Sequence, residues 1–369
     1  MRESKDDRSR VLRRLPGICL LAVLAAGLVF SLMNPATFPA PSNADLVGGA
    51  WADGYQKEYE RGLAVRKPAL ALWTALLYWL FSEGEQGVLV GEGGWLYSTE
   101  EFVAMDPTGR TLGEAVDYVT AVQDQLRAKN IALVVALVPT KAGTYAEHLG
   151  RYHLPPALAR RYETARSALV SRGIDAPDLA AALREARTRR DVFLRTDTHW
   201  TAFGASVAAA ALAPGVRREL DDRHSPRQEY TLEPGGSSER AGDLLGFLPL
   251  GPFQKAMGLR PDFVETTSTS TRAESAAELF SELQIPVALV GTSFSAAGEW
   301  NFDGHLKAAV QADVLKVAVE GQGPFVPMQR YLESRAIDDP RPDVVIWEIP
   351  ERYLGVDVPL GISSVRRTQ

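Results

Sequence analysis

The stretch "PVALVGTSFSAAGEW", residues 286–300, decides the reading of the fold. It begins with apolar residues that do not alternate with polar ones, the pattern of a strand covered on both faces. Gly291, Thr292 and Ser293 follow at once, where a buried strand ends. The runs "IALVVALVP" (131–139), "VLKVAV" (314–319) and "DVVIWEI" (343–349) have a similar character. Helical spacing lies between them, in "TLGEAVDYVTAVQDQLRAKN" (111–130), residues 154–171, residues 177–189, "WTAFGASVAAAALA" (200–213) and "FDGHLKAAVQA" (302–312). Strand and helix in alternation predict an α/β domain with a mostly parallel sheet and helices on both faces. A short strand is expected at "DVFLR" (191–195), and the polar, Gly- and Pro-containing section 221–242 is expected to be a long surface loop.

In such sheets ligands collect beyond the carboxyl ends of the strands. Ser293 therefore stands where a nucleophile belongs, although Ser293 or Ser295 could equally cap the helix that follows. A second motif, "RTDTHWTAFGA" (195–205), contains one of only five histidines in the chain. Asp197 and His199 lie two residues apart, so an extended backbone would put both side chains on one side. The carboxylate could then fix the imidazole tautomer while the other ring nitrogen faces a nucleophile. The competing reading is an aspartate that caps the helix after it. Taken together, at strand ends of one predicted sheet, the two motifs point to a serine acyl-transfer site. No credible metal cluster competes with that reading.

Composition limits the alternatives. The chain has 369 residues, 46% hydrophobic and 23% charged, enough to bury one large core or two small ones. The lone Cys19 lies in an N-terminal apolar segment, which leaves no cysteine for a disulfide, zinc site or thiol nucleophile in the body. Residues 1–14 form a basic head with six cationic and three acidic side chains, and the 19 residues of 15–33 carry no charge. That length can cross a hydrocarbon core of roughly 30 Å, with the basic flank held on the cytoplasmic side. A cleaved signal peptide is the alternative, but no sharp cleavage site follows Met33. The formal charge of −6 includes +3 from the head, so the rest of the chain carries about −9, with no basic stripe for nucleic acid.

A Pro-rich linker is expected from Asn34 to Asn43, then helical structure from Tyr55 to Phe81. The end of that region, "PALALWTALLYWLF" (68–81), is too short to span and is read as buried rather than resting on a membrane surface. The expected organisation is a cytoplasmic head (1–14), an anchor (15–33), a linker with membrane-proximal helices (34–85) and a catalytic domain (86–369). In "GVLVGEGGWLYSTEEF" (87–102), two short strands flank a Gly-rich turn that lacks a nucleotide-loop fingerprint.

The motifs "DTHW" and "GTSFS", with "GGWLYSTEEF" and "VPTKAGTY" upstream and "WEIPERYL" near the end, resemble the SGNH-hydrolase-like alginate O-acetyltransferase family, the AlgJ/AlgX group. The resemblance runs from Asp45 to Leu354. It implies a three-layer α/β/α, flavodoxin-like domain in which Ser293 accepts the acyl group, His199 is the general base and Asp197 orients it. The order Asp197, His199, Ser293 is permuted relative to ordinary SGNH hydrolases, as in that group. The chain ends soon after "WEIPERYL", which resembles the membrane-anchored AlgJ-type branch without a C-terminal carbohydrate-binding module.

The implied activity is O-acetylation of an exported polysaccharide, alginate or a similar glycan, in the periplasm at the inner membrane. The implied acetyl source is a membrane-bound acyltransferase partner, with no cofactor and no metal. An acetyl esterase with the same triad, or a non-catalytic glycan-binding subunit of a secretion complex, are the other readings. Lys141 and Arg352 are candidate substrate contacts, Lys141 for a uronate carboxylate, and Trp200 and Trp300 are candidates for stacking on sugar rings. Glu348 and Arg352, four residues apart, could pair with each other.

Overall fold

The computed structural model describes residues 16–29, 50–62, 66–104, 108, 110–271 and 285–355. The basic head, the linker 34–43, both ends of the expected anchor and the tail after 355 lie outside the described residues. The chain divides into two compact units, one from Met1–Glu83 with Pro249–Gly258, the other from Gly84–Leu248 with Leu259–Gln369.

The first unit is helical, with α1 (16–29), α2 (Ala50–Gly62) and α3 (Arg66–Phe81). Among the described residues no helix is long and apolar enough to cross a membrane. The expectation that 68–81 is buried does not hold. Only Ala71, Thr74 and Ala75 of α3 are buried, with Leu70, Leu77 and Tyr78 partly so, while Trp73 and Trp79 are 60% and 70% exposed.

The second unit holds the catalytic candidates. In chain order it contains β1 (Val88–Val90), β2 (Leu96–Ser98), α4 (Arg110–Ala128), β3 (Ala132–Val138), α5 (Lys141–Thr144), α6 (Pro156–Ala159), α7 (Arg161–Ser171), α8 (Leu179–Ala186) and α9 (Ala202–Asp222). The second half adds β4 (Tyr230–Arg240), β5 (Asp262–Thr271), β6 (Val287–Gly291), α10 (Ser293–Ala296), α11 (Phe302–Val310), β7 (Val314–Ala318), α12 (Phe325–Glu333) and β8 (Val344–Pro350). Strands β3, β8, β6 and β7 form one parallel sheet in that order, with Val134 opposite Ile346, Ile346 opposite Leu289 and Leu289 opposite Lys316.

The period-two pleat divides the strand residues between two cores. Val134, Ala136, Leu289 and Ile346 pack with Leu183 of α8, Leu212 of α9 and Leu306 of α11. Val135, Leu137, Val290 and Trp347 pack on the other side with Val119 of α4, Leu169 of α7 and Met328 of α12. Each of these leucines, isoleucines and valines contributes about 1.5–3 kcal/mol through burial. The result is three layers, with the strand ends aimed toward one rim as the apolar runs predict.

Three local expectations are corrected. "DVFLR" is not a strand, apart from one bridge between Phe193 and Trp200. Its carbonyls are taken instead by Lys141 Nζ, at Leu194 O and Arg195 O, and by Thr201 N, at Val192 O. The expected loop 221–242 contains β4, which pairs antiparallel with β5 as a long ribbon. Most residues of both strands are polar, and the few apolar ones, such as the buried Tyr230 and Val264, sit near the strand starts, so no sustained hydrophobic alternation announces them. The expected helix 154–171 is broken at Arg160 into α6 and α7.

Candidate active site

Ser293 follows β6 after one residue, Thr292, and opens α10. The turn between them is tight. Gly291 is required there because a Cβ would lie 2.5 Å from Glu348 Oε2 and 2.7 Å from Ser295 Oγ. Thr292 caps the short helix by accepting the Phe294 N–H, and its own N–H and hydroxyl donate to the buried Glu348 carboxylate at 2.7 and 3.0 Å. Ser295 is fully buried and donates to Glu348 Oε2 at 3.0 Å. The two serines therefore have different surroundings. Ser295 is tied down beneath the turn, and Ser293 Oγ lies 2.7 Å from His199 Nε2.

His199 Nδ1 is 2.6 Å from Asp197 Oδ1, which also accepts the His199 backbone N–H at 3.0 Å. Asp197 Oδ2 accepts the Asp243 N–H at 3.1 Å. A proton on Nδ1 is thus shared with a carboxylate, leaving Nε2 to accept from the serine hydroxyl. Burial alone would raise the Asp197 carboxyl, but hydrogen bonds from the His199 ring, its charge and the two backbone N–H groups outweigh this and hold it at about 2.

The Asp197–His199 segment is held in place by buried charge. Lys141, at the start of α5 beyond β3, extends Nζ to Asp197 O at 2.6 Å, Leu194 O at 3.1 Å and Arg195 O at 3.3 Å. Burial pushes this lysine down to about 8, against the opposing pull of Glu101, Asp243, Asp262 and Asp197. Glu101 is itself buried and accepts the Ala142 N–H at 2.7 Å. Asp243 accepts the Thr198 N–H at 2.8 Å, and Asp262 accepts those of Arg195 and Thr196, each at 2.9 Å.

Aromatic rings enclose the imidazole. Trp300 stacks on it at 5.5 Å with planes 23° apart, and Phe294 lies 4.8 Å away. Two guanidiniums lie over the outer rings, Arg240 at 5.1 Å from Trp300 and Arg352 at 5.8 Å from Phe294. Arg352 pairs with Glu100 at 3.2 Å and lines a small cleft with Thr198, Phe294 and Lys141.

The candidate substrate contacts fall out differently. Lys141 is buried and spends its donors on main-chain carbonyls, so it does not face a ligand in this conformation. Trp200 and Trp300 are fully buried; Trp200 donates Nε1–H to Phe294 O at 3.1 Å. Neither ring is open to a sugar. Glu348 and Arg352 do not pair with each other; Glu348 serves the Thr292 turn and Arg352 serves Glu100. Glu101, Asp243, Asp262 and Arg240 were not singled out by the sequence. Their partners lie far away along the chain, so no local pattern marks them.

Among the described residues, one group of possible metal ligands brings its atoms within 4.8 Å of one another: Asp197, His199 and Asp243. The hydrogen bonds above already account for its arrangement, so the donor set gives no separate indication of an ion.

Residues 88–351 match the family described as an SGNH hydrolase-like domain, acetyltransferase AlgX. Over 336 residues the chain is 38% identical to the probable alginate O-acetylase AlgJ of Azotobacter vinelandii, covering 90% of this chain and 86% of that protein. The solved O-acetyltransferase domain of Pseudomonas putida AlgJ matches with a TM-score of 0.67 at 36% identity, over 76% of this chain and 98% of that one. Pseudomonas aeruginosa AlgX matches with a TM-score of 0.57 at 23% identity, over 71% of this chain and 61% of that one, a likeness of fold alone. On the extent and identity of these matches, the chain belongs to the AlgJ/AlgX family of SGNH-hydrolase-like acetyltransferases.

Proposed function

We propose that this chain is a polysaccharide O-acetyltransferase that carries acetyl on Ser293 and delivers it to hydroxyl groups of alginate or a similar exported glycan. The observation that carries this reading is the continuous chain from Asp197 through His199 to Ser293, at 2.6 and 2.7 Å. The relatives named as alginate O-acetylases support the choice of acceptor.

In the first half-reaction His199 Nε2 takes the Ser293 proton as Oγ bonds to the donor's acetyl carbon. The carbon to leaving-group bond breaks, and the proton passes from His199 to the leaving group. Asp197 stays ionised and stabilises the transient imidazolium. In the second half-reaction a sugar hydroxyl gives its proton to His199 and bonds to the acetyl carbon. The bond to Oγ breaks, and Ser293 recovers the proton. The Ser293 backbone N–H is the proposed member of the oxyanion site. No cofactor or metal enters these steps.

Arg352 is the proposed contact for a uronate carboxylate, since a guanidinium matches that group in two-point geometry. Residues 15–33 are proposed to anchor the chain in the inner membrane, with residues 86–369 as the catalytic domain in the periplasm. A membrane-bound acyltransferase is the proposed acetyl source, and anchoring would keep donor and acceptor enzymes at high mutual concentration. The test is incubation with an activated acetyl ester, with and without a mannuronate oligomer. Mass spectrometry should find acetyl on Ser293 and then on the oligomer. Release of free acetate without sugar acetylation would instead favour the esterase.

A further inference from the structure

Helix α3 carries no charged residue between Lys67 and Glu83. Its covered side is narrow, with Ala71 packed against Gly251 of the same unit. The opposite side presents Leu72, Trp73, Leu76, Trp79 and Leu80, all exposed, with Phe81 beside them. Positions 72, 73, 76, 79 and 80 are spaced by one, three and four residues, so they form one stripe along the helix. A stripe of this kind marks a contact surface rather than ordinary surface variation.

We propose that α3 lies in the plane of the bilayer surface, with this stripe in the boundary between headgroups and acyl chains. Three observations favour lipid over a protein partner. Two of the six side chains are tryptophans, whose rings suit the headgroup level. Arg66 and Lys67 are exposed at the start of the helix, where they can meet lipid phosphates. The stripe itself offers no hydrogen-bonding side chain apart from the tryptophan N–H groups, whereas protein interfaces carry about one hydrogen bond per 100–200 Å².

The same unit contains α1, whose Leu20, Leu21, Val23 and Leu24 are exposed as well. The uncharged part of α3, residues 68–81, would extend only about 21 Å along the helix axis, short of a hydrocarbon core of roughly 30 Å. It therefore rests on the membrane rather than crossing it. The proposal draws on the anchor reading only for delivery of α3 to the bilayer.

The test uses the full chain with Cys19→Ser, reconstituted into vesicles of phosphatidylcholine and phosphatidylglycerol. Single nitroxide labels are placed through Leu72→Cys, Leu76→Cys and Leu80→Cys, with Leu24→Cys reporting the anchor and Asp117→Cys reporting water. Circular dichroism confirms that each labelled protein is folded. The three α3 labels should be several-fold more accessible to oxygen than to a water-soluble nickel chelate, relative to Asp117→Cys. Water-like access on α3, or shielding from both reagents as in a protein contact, overturns the proposal. The Leu24→Cys label decides the anchor independently, since lipid-like access there with water-like α3 labels preserves the anchor and rejects the surface helix.

Discussion

Lys141 Nζ lies 2.6 Å from the main-chain oxygen of Asp197, the residue whose side chain holds His199. A buried cation thus fixes the backbone of the segment that supplies two members of the triad. This contact joins the end of β3 to the catalytic segment without using any solvent-facing group.

Replacing Lys141 with methionine should leave Leu194 O and Asp197 O without their donor, while Arg195 O keeps the Leu96 N–H, and should weaken the positive charge around Glu101. Stability should fall by about 2–4 kcal/mol, since donors bearing charge are worth about 1.5–3 kcal/mol each. The rate constant for acetyl transfer should drop at least tenfold with little change in KM. A pH series separates this from simple loss of packing. Folded Lys141 titrates at about 8 against 10.5 when unfolded, so the cost of burying its charge is complete below pH 8 and is relieved as pH rises to 10.5. Urea midpoints of the parent should therefore rise between pH 8 and 10.5, and Lys141→Met should lack that rise.

Ser293→Ala should abolish transfer and formation of the acetyl-enzyme while leaving the urea midpoint nearly unchanged, because it removes one oxygen at a strand end. Ser295→Ala should keep measurable activity and lose about 1 kcal/mol, the usual worth of a buried hydrogen bond. The opposite pattern of activities would move the acyl group to Ser295. Rates of chromogenic ester cleavage for the two variants decide it.

His199→Ala should cost about as much activity as Ser293→Ala, since members of a triad act as a unit. Asp197→Asn should retain a trace. The parent carboxyl, held at about 2, contributes stability that is complete above its ordinary 3.8 and is lost as pH falls through 2. Acid unfolding of Asp197→Asn should lack that component. Full activity in His199→Ala would return "DTHW" to a helix cap.

The contrast between these residues shows what a single sequence makes legible. The core strands at 131–139, 286–291 and 343–349 stand out because burial on both faces demands unbroken apolar runs. Ser293 and His199 stand out because each follows a recognisable break in such a pattern. The β4–β5 ribbon is hidden, since "ETTSTST" gains its pairing from main-chain hydrogen bonds and needs no apolar face. Lys141 is hidden for another reason. A lysine after a strand is ordinarily solvated, and only contacts 53–56 residues away turn it into a buried clamp. Trp200 and Trp300 lie beside the two motifs, but proximity in sequence does not reveal which side of a ring is covered.

Glu348 offers a test of how the nucleophile turn is supported. Its carboxylate is fully buried and accepts from Thr292 N, Thr292 Oγ1 and Ser295 Oγ. Glu348→Ala leaves those donors unpaired and opens a cavity, which should destabilise the protein by about 2–5 kcal/mol. Activity should fall as well, because Ser293 immediately follows Thr292. An unchanged denaturation midpoint would mean that water or a neighbour replaces the carboxylate completely.

Arg352 is the remaining candidate for reading a uronate, and its geometry allows substrate binding to be separated from chemistry. The guanidinium lies over Phe294 and pairs with the largely exposed Glu100, so an incoming carboxylate would compete with Glu100 for it. Arg352→Ala should raise KM for a mannuronate acceptor at least tenfold, the loss of about 1.5–3 kcal/mol expected for a charged hydrogen bond. Cleavage of a small neutral acetyl ester, which has no carboxylate to bind, should change far less. Glu100→Gln should act in the opposite direction, lowering KM for the charged acceptor by freeing the guanidinium. If Arg352→Ala impairs the neutral ester and the mannuronate equally, the arginine supports the fold around Phe294 and does not recognise the polymer. If Glu100→Gln leaves KM for the charged acceptor unchanged, the guanidinium is not the group for which Glu100 and the substrate compete.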